Sequence, residues 1–187
     1  MHRYTDVYKY LGLQLVDAGS TLGPYHNRCF YLALACAMLR DSLNGMHTSS
    51  LDRGYLCRLW VRNRALEIWR VFRDEVQTSR DPATRASLNN HNAPVYGDIM
   101  GYVLNTPEFS TLAVAIFQPE VVEIYIGKRY DQLSPAASQR NTCCIHYTQN
   151  HWMALCKKEP GQHGVAALVK ALDKARLPYL KITEGPV

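Results

Sequence analysis

Gly23-Pro24-Tyr25-His26-Asn27-Arg28-Cys29-Phe30-Tyr31-Leu32-Ala33-Leu34-Ala35-Cys36-Ala37-Met38-Leu39 is the stretch on which the fold reading turns. A turn-rich loop passes at Cys29 into eleven apolar residues, rich in Ala and Leu, a composition that favours a buried helix over a strand. Asn44-Gly45 is expected to end that helix. The run is too short to cross a hydrocarbon core of about 30 Å. A cysteine at such a junction lies beside unpaired backbone N–H groups and the positive end of a helix dipole. Both favour a thiolate nucleophile, and the same N–H groups can hold the oxyanion formed when an acyl carbon is attacked. The competing reading is a small packing thiol like Cys36.

Outward from this stretch, composition sets the bounds. With 187 residues, 47% hydrophobic and 20% charged, the chain suits one domain over 1–187, with a core over about 8–158 and an amphipathic helix over about 164–177. Apolar residues spread along the length argue against disorder, a collagen fibre or a coiled coil. The first residues lack the charged-then-apolar layout of an export signal, so a cytoplasmic protein without a membrane span is expected. In that setting the six cysteines are reduced thiols rather than a disulfide framework. Cys143, Cys144, His146, His151, Cys156 and His163 could suggest zinc, but neighbouring strand cysteines face opposite ways and no C-x-x-C pair occurs. Neither a metal nor a cofactor is expected.

The remaining elements follow from pattern. Leu11–Val16 reads as a strand entering the loop Asp17-Ala18-Gly19-Ser20, and 54–77 as a long helix with an arginine-bearing outer face. A polar loop covers 89–94. Thr106-Pro107-Glu108 is expected to open a helix running to Phe117, with Pro in the first turn. Val121–Ile126 is strand-like, and 143–147 and 152–156 read as two strands joined by Thr148-Gln149-Asn150. Val165, Leu168, Val169 and Leu172 share one face of the last helix. Early helices and late strands point to an α+β fold.

Two histidines could serve Cys29 as a base. His146 falls within an apolar run, whereas His151 ends a polar turn and precedes Trp152, so His151 is the better candidate; its alternative role is a turn residue capping the hairpin.

At these residues the chain resembles the OTU (ovarian tumour) family of cysteine proteases, most of which are deubiquitinases. The family's acidic-Gly-Asn-Cys loop and Ala-rich helix are matched by His26-Asn27-Arg28-Cys29-Phe30-Tyr31-Leu32-Ala33-Leu34-Ala35. Its Trp-Gly-acidic block is similar to Tyr96-Gly97-Asp98, and its strand-turn-His-aromatic block to Ile145-His146-Tyr147-Thr148-Gln149-Asn150-His151-Trp152. The three blocks span residues 13–155 in the family's order. The resemblance implies a papain-like fold, with a small, mostly antiparallel central sheet packed between helices. It also implies Cys29 as nucleophile, His151 as base, and an oxyanion site from the backbone N–H groups of His26, Asn27, Arg28 and Cys29. Trp152, Tyr96 and Gly97 would line the channel for the Gly-Gly tail of ubiquitin; Trp152 could equally shield the imidazole, and its alternative is an ordinary core aromatic.

The departures are His26 for the acidic residue, Asn27 for the glycine, and Met153 where many members carry an Asp or Asn that orients the histidine. Met153 cannot accept a useful hydrogen bond. Some members take the third residue from upstream of the cysteine, which makes Asp17 the candidate, with Asn27 and Asn150 as rivals and a Cys–His dyad as the remaining option. The implied activity is hydrolysis of isopeptide bonds after the C-terminal Gly of ubiquitin or a ubiquitin-like modifier, with polyubiquitin chains as partners. Degenerate motifs on a short chain suggest a viral or bacterial effector acting in a host cytosol.

The alternative is an inactive OTU-like or basic module. Between Arg53 and Arg85 lie eight arginines against four acidic residues, a local excess of four within a net charge of +5. That helix could bind nucleic acid or an acidic partner, although a solvated face with pairs such as Glu67 near Arg70 is commoner and nucleic acid is not the expected partner.

Overall fold

The structure is a computed structural model and describes residues 3–42, 51–77, 82, 100–104, 106–158 and 163–183. In chain order it contains α1 (Thr5–Tyr10), β1 (Leu13–Val16), α2 (Cys29–Ser42), α3 (Leu51–Gln77), α4 (Met100–Val103), β2 (Ala113–Phe117) and β3 (Val122–Ile126). A short 3-10 turn (Tyr130–Gln132) leads to α5 (Pro135–Arg140), β4 (Thr142–Thr148), β5 (His151–Lys157), α6 (Val165–Lys174) and β6 (Tyr179–Ile182). The class is α+β. Six strands form one sheet in the order β1-β5-β4-β2-β3-β6. Three pairings are antiparallel (β1/β5, β5/β4, β2/β3) and two are parallel (β4/β2, β3/β6), so the sheet is mixed.

Both faces of the sheet are covered, and alternation along each strand decides which layer a side chain enters. Val114, Ile116, Cys143, Ile145, Trp152, Ala154 and Cys156 join the core under α2 and α3. Ala113, Ala115, Phe117, Ile124, Cys144 and Leu155 join the opposite core under α1 and α6. Burial on both faces explains why β2 is apolar at all five positions, a pattern unlike the alternation of a half-exposed strand. Cys143 and Cys144 do enter opposite layers. Helix α2 is buried all round from Phe30 to Ala35, lying between the sheet and α3. Phe72 of α3 meets Phe30 and Tyr31 edge-on at 5.5 and 5.4 Å.

The β4–β5 hairpin closes through Gln149 and Asn150, both with positive φ (50° and 60°), and Thr148 pairs with His151. Two central residues in this region make a type I′ turn, whose twist matches that of the strands it joins.

One expectation needs correction. The segment 106–117 is not a helix. Thr106 Oγ1 accepts from the Phe109 N–H at 3.4 Å and the Leu112 N–H bonds Phe109 O, so Pro107 starts a turn and the chain enters β2 at Ala113. The physical reason is that a five-residue apolar run buried on both faces carries no periodicity to separate strand from helix. The chain also holds two elements that the sequence reading lacked: α1 precedes every strand, and β6 follows α6 at the sheet edge beside β3. Asn44-Gly45, the loop 89–94, Tyr96 and Gly97 lie outside the described residues. Among the described residues no helix is long and apolar enough to cross a membrane.

Phe72→Ala removes a fully buried ring that holds α3 on α2. It should lower unfolding stability by about 3–5 kcal/mol, read as a shift of the denaturant midpoint with unchanged slope. Leu59→Ala on the exposed side of the same helix should stay within about 0.5 kcal/mol. Equal losses in the two variants would contradict the packing described.

Candidate active site

Cys29, Asp17 and His151 reach one end of the sheet by separate routes. Strands β1 and β5 are antiparallel neighbours, with Val16 opposite Ala154, so the residue that leaves β1 arrives beside the residues that begin β5. Asp17 is the first residue past β1, and His151 is the first of β5. Helix α2 packs along β5, which sets its N-terminus and Cys29 at the same edge.

Asp17 Oδ1 accepts two hydrogen bonds, from the Gly19 backbone N–H at 2.9 Å and from His151 Nε2 at 3.0 Å. The Gly19 bond, helped by the His151 bond and charge and opposed by partial burial, holds the Asp17 carboxyl below the ordinary carboxylate range. An ionised Asp17 can only accept, so Nε2 carries the proton and Nδ1 is left as the basic nitrogen of the imidazole. Gly19 sits at φ +95°, a region open to glycine, and the Asp17-Ala18-Gly19 order is that of an Asx-type turn.

Cys29 opens α2 and is 6% exposed. Burial pushes its thiol above the ordinary cysteine value. Backbone N–H groups of Trp152, Phe30 and Cys29 itself pull the other way, and the negative charge of Asp17 adds to the rise. The helix start therefore does supply donors to the sulfur, but desolvation outweighs them, so the net shift disfavours the thiolate that a helix start favours. The Trp152 N–H, directly after His151, ties β5 to the Cys29 sulfur.

The other expected residues fall as follows. Asn27 has φ +57°, a left-handed conformation that asparagine tolerates better than most residues. The Arg28 N–H already donates to Ser20 O at 3.0 Å, so this member of the expected oxyanion set is engaged in holding the loop. The Arg28 side chain is 1% exposed and reaches Asn27 O at 3.5 Å. The Phe30 N–H, not among the expected donors, is one of those turned on the sulfur. Asn150 Oδ1 accepts from Tyr147 Oη at 3.0 Å, which leaves it turned along the hairpin.

Trp152 is 3% exposed, packed edge-to-face on Phe30 (4.9 Å) and tilted against Tyr147 (4.4 Å), so its ring is a wedge between α2 and the sheet. His146 is buried on the other side of the sheet, its Nδ1 2.9 Å from Tyr8 Oη. On α3, Glu67 pairs with Arg64 at 2.9 Å instead of Arg70. Among the described residues no three metal-ligating side chains converge.

The contributions of Gly19 and of Ser20 O were missed from sequence. Asp17-Ala18-Gly19-Ser20 reads as a loop, and only the Asx-turn spacing hints that Asp17 is anchored. No protein-family model, no curated protein and no solved structure matches the chain.

The Asp17 bonds belong to its charged form. Because the folded pKa is depressed, their contribution is present above the ordinary Asp pKa and is lost as pH falls through the depressed value. Asp17→Asn should therefore be less stable than wild type at pH 7, with the difference vanishing on acidification below the ordinary Asp range, read from denaturant midpoints at stepped pH. A difference of constant size at every pH would refute the assignment. In the same protein, iodoacetamide alkylation of Cys29 should reach half its maximal rate at a pH above that of a small-molecule thiol.

Proposed function

We propose that this chain is an OTU-type thiol isopeptidase, hydrolysing bonds after the C-terminal glycine of ubiquitin or a ubiquitin-like modifier. The observation that carries the reading is the Asp17–His151 hydrogen bond at the end of the sheet where the Cys29 thiol meets the Trp152 N–H. Nucleophile, base and orienting acid arrive from a helix start, a strand start and a strand end, the division of labour that a cysteine protease needs. The positive φ of Asn27 also supports it, since the resemblance puts a glycine there and asparagine keeps the same backbone region accessible.

In this mechanism the Cys29 sulfur attacks the glycine carbonyl carbon while His151 Nδ1 takes the thiol proton. Asp17 holds the ring by Nε2 and stabilises the imidazolium that forms. The Cys29 and Phe30 N–H groups, already turned on the sulfur, are the nearest donors for the developing oxyanion, with His26 and Asn27 in the loop before them. The proton passes from His151 to the leaving lysine amine. Water then attacks the thioester with His151 again as base, releasing the glycine carboxylate and the thiol. Because burial disfavours the free thiolate, proton transfer would accompany attack, making the reaction depend on His151 more than a preformed thiolate would.

One observation favours a second reading. Helix α3 presents Arg58, Arg62 and Arg70 to solvent, while Glu67 is taken by Arg64. A basic face on a protein whose Cys29 is buried would suit a catalytically silent module that binds nucleic acid or an acidic partner.

Wild-type protein incubated with ubiquitin carrying a C-terminal thiol-reactive warhead should gain one ubiquitin mass, and Cys29→Ala should gain none. His151→Ala should lower kcat on a ubiquitin substrate by about 10²–10⁴-fold, and Asp17→Asn should lower it less. No adduct in the wild type, together with RNA binding that weakens steeply with salt and is lost in Arg58→Glu/Arg62→Glu, would replace the enzyme reading with the second one.

A further inference from the structure

We propose that Cys36 and Cys156 are a redox pair that closes to an intramolecular disulfide when the protein meets a peroxide, joining α2 to β5. Their sulfurs are 3.7 Å apart, and the Cys156 thiol lies 3.6 Å from the Cys36 carbonyl oxygen. Neither is in a disulfide, and both enter the same core layer between the sheet and the helices above it. A disulfide needs sulfurs about 2.05 Å apart, so the pair must close by less than 2 Å, a movement within reach of side-chain rotation. The two cysteines are separated by 120 residues, so this proximity is a product of the fold alone.

The oxidation balances with peroxide as the only oxidant. Cys36, at 9% exposure against 3% for Cys156, is the sulfur that peroxide meets first. Its sulfur attacks one peroxide oxygen, the O–O bond breaks, and the other oxygen leaves as water with the thiol proton, giving a sulfenic acid. The Cys156 sulfur then attacks the sulfenic sulfur; the S–O bond breaks, and the hydroxyl leaves as a second water with the Cys156 proton. Two electrons have passed from the thiols to peroxide. A dithiol reductant reverses the bond by exchange.

The position of the pair gives the bond a consequence. Cys29 lies seven residues before Cys36 on α2, about 10 Å along the helix, so it is too distant to pair with Cys36, and the Cys36–Cys156 bond does not use it. His151 begins the strand in which Cys156 lies. The bond would tie together the two elements that present Cys29 and His151, behind the site and without consuming it. The proposal does not rest on the isopeptidase reading, because the disulfide and its effect on stability are measurable in an inactive protein.

The full-length protein is treated with stepped hydrogen peroxide, remaining thiols are alkylated, and digests are mapped by mass spectrometry without reduction. The expected product is a Cys36–Cys156 cross-linked peptide lighter by two hydrogens, restored by dithiothreitol and formed equally in Cys29→Ala. Oxidation should raise Tm by roughly 5–10 °C in wild type, and peroxide should leave the Tm of Cys156→Ser unraised. If Cys156→Ser fails to fold, the cross-link map in wild type and Cys29→Ala decides alone. Folded, oxidised protein whose Cys36 and Cys156 remain alkylatable would overturn the proposal, as would cross-links from either residue to a different cysteine.

Discussion

A helix with no polar face must be covered on every side, and α2 is such a helix. From Phe30 to Ala35 every side chain is buried, so the segment is stable only where the sheet closes one side and α3 the other. That requirement settles the positions of the parts around it. The cover on the sheet side is β4 and β5, whose Trp152 ring stands between Phe30 and Tyr147. Aromatic rings in edge-to-face contact tolerate little sliding, because a shift forfeits both the burial and the ring geometry. The N-terminus of α2 is thereby held against the start of β5, and Cys29 against the Trp152 N–H.

The same burial divides the site electrostatically. Asp17 stands at the exposed rim, where solvent and two N–H donors keep it ionised, while Cys29 stands in the protein, where loss of solvent costs a thiolate more than three nearby N–H groups return. His151 is hydrogen-bonded to the rim group and immediately precedes the residue whose N–H meets the buried one. Hydrogen bonding thus favours the charged form of Asp17, and desolvation disfavours that of Cys29.

Much of this could be read from the sequence, and the failures have causes. The helix from Cys29, the hairpin ending at His151 and the last amphipathic helix were legible because composition, turn residues or periodicity mark them locally. Asp17 could be nominated as a partner for His151 only beside Asn27 and Asn150, since three short polar residues near the site look alike without geometry. Ala113–Phe117 was misread because burial on both faces erases the period that separates strand from helix. The packing of Trp152 was not legible either, since adjacency to His151 in sequence says nothing about which side of the strand its ring takes.

The sequence by itself determined the local elements and the chemistry available: a helix that had to be buried, a turn suited to the left-handed residues Gln149 and Asn150, a cysteine at a helix start and a histidine at a strand start. Only the tertiary structure decided which of these meet. Strand order brings the end of β1 to the start of β5 and so joins Asp17 to His151 across 134 residues. Burial pushes the Cys29 thiol up, and packing sets Cys36 and Cys156 3.7 Å apart. Desolvation and long-range register are properties of the packed chain as a whole, and no window of sequence contains them.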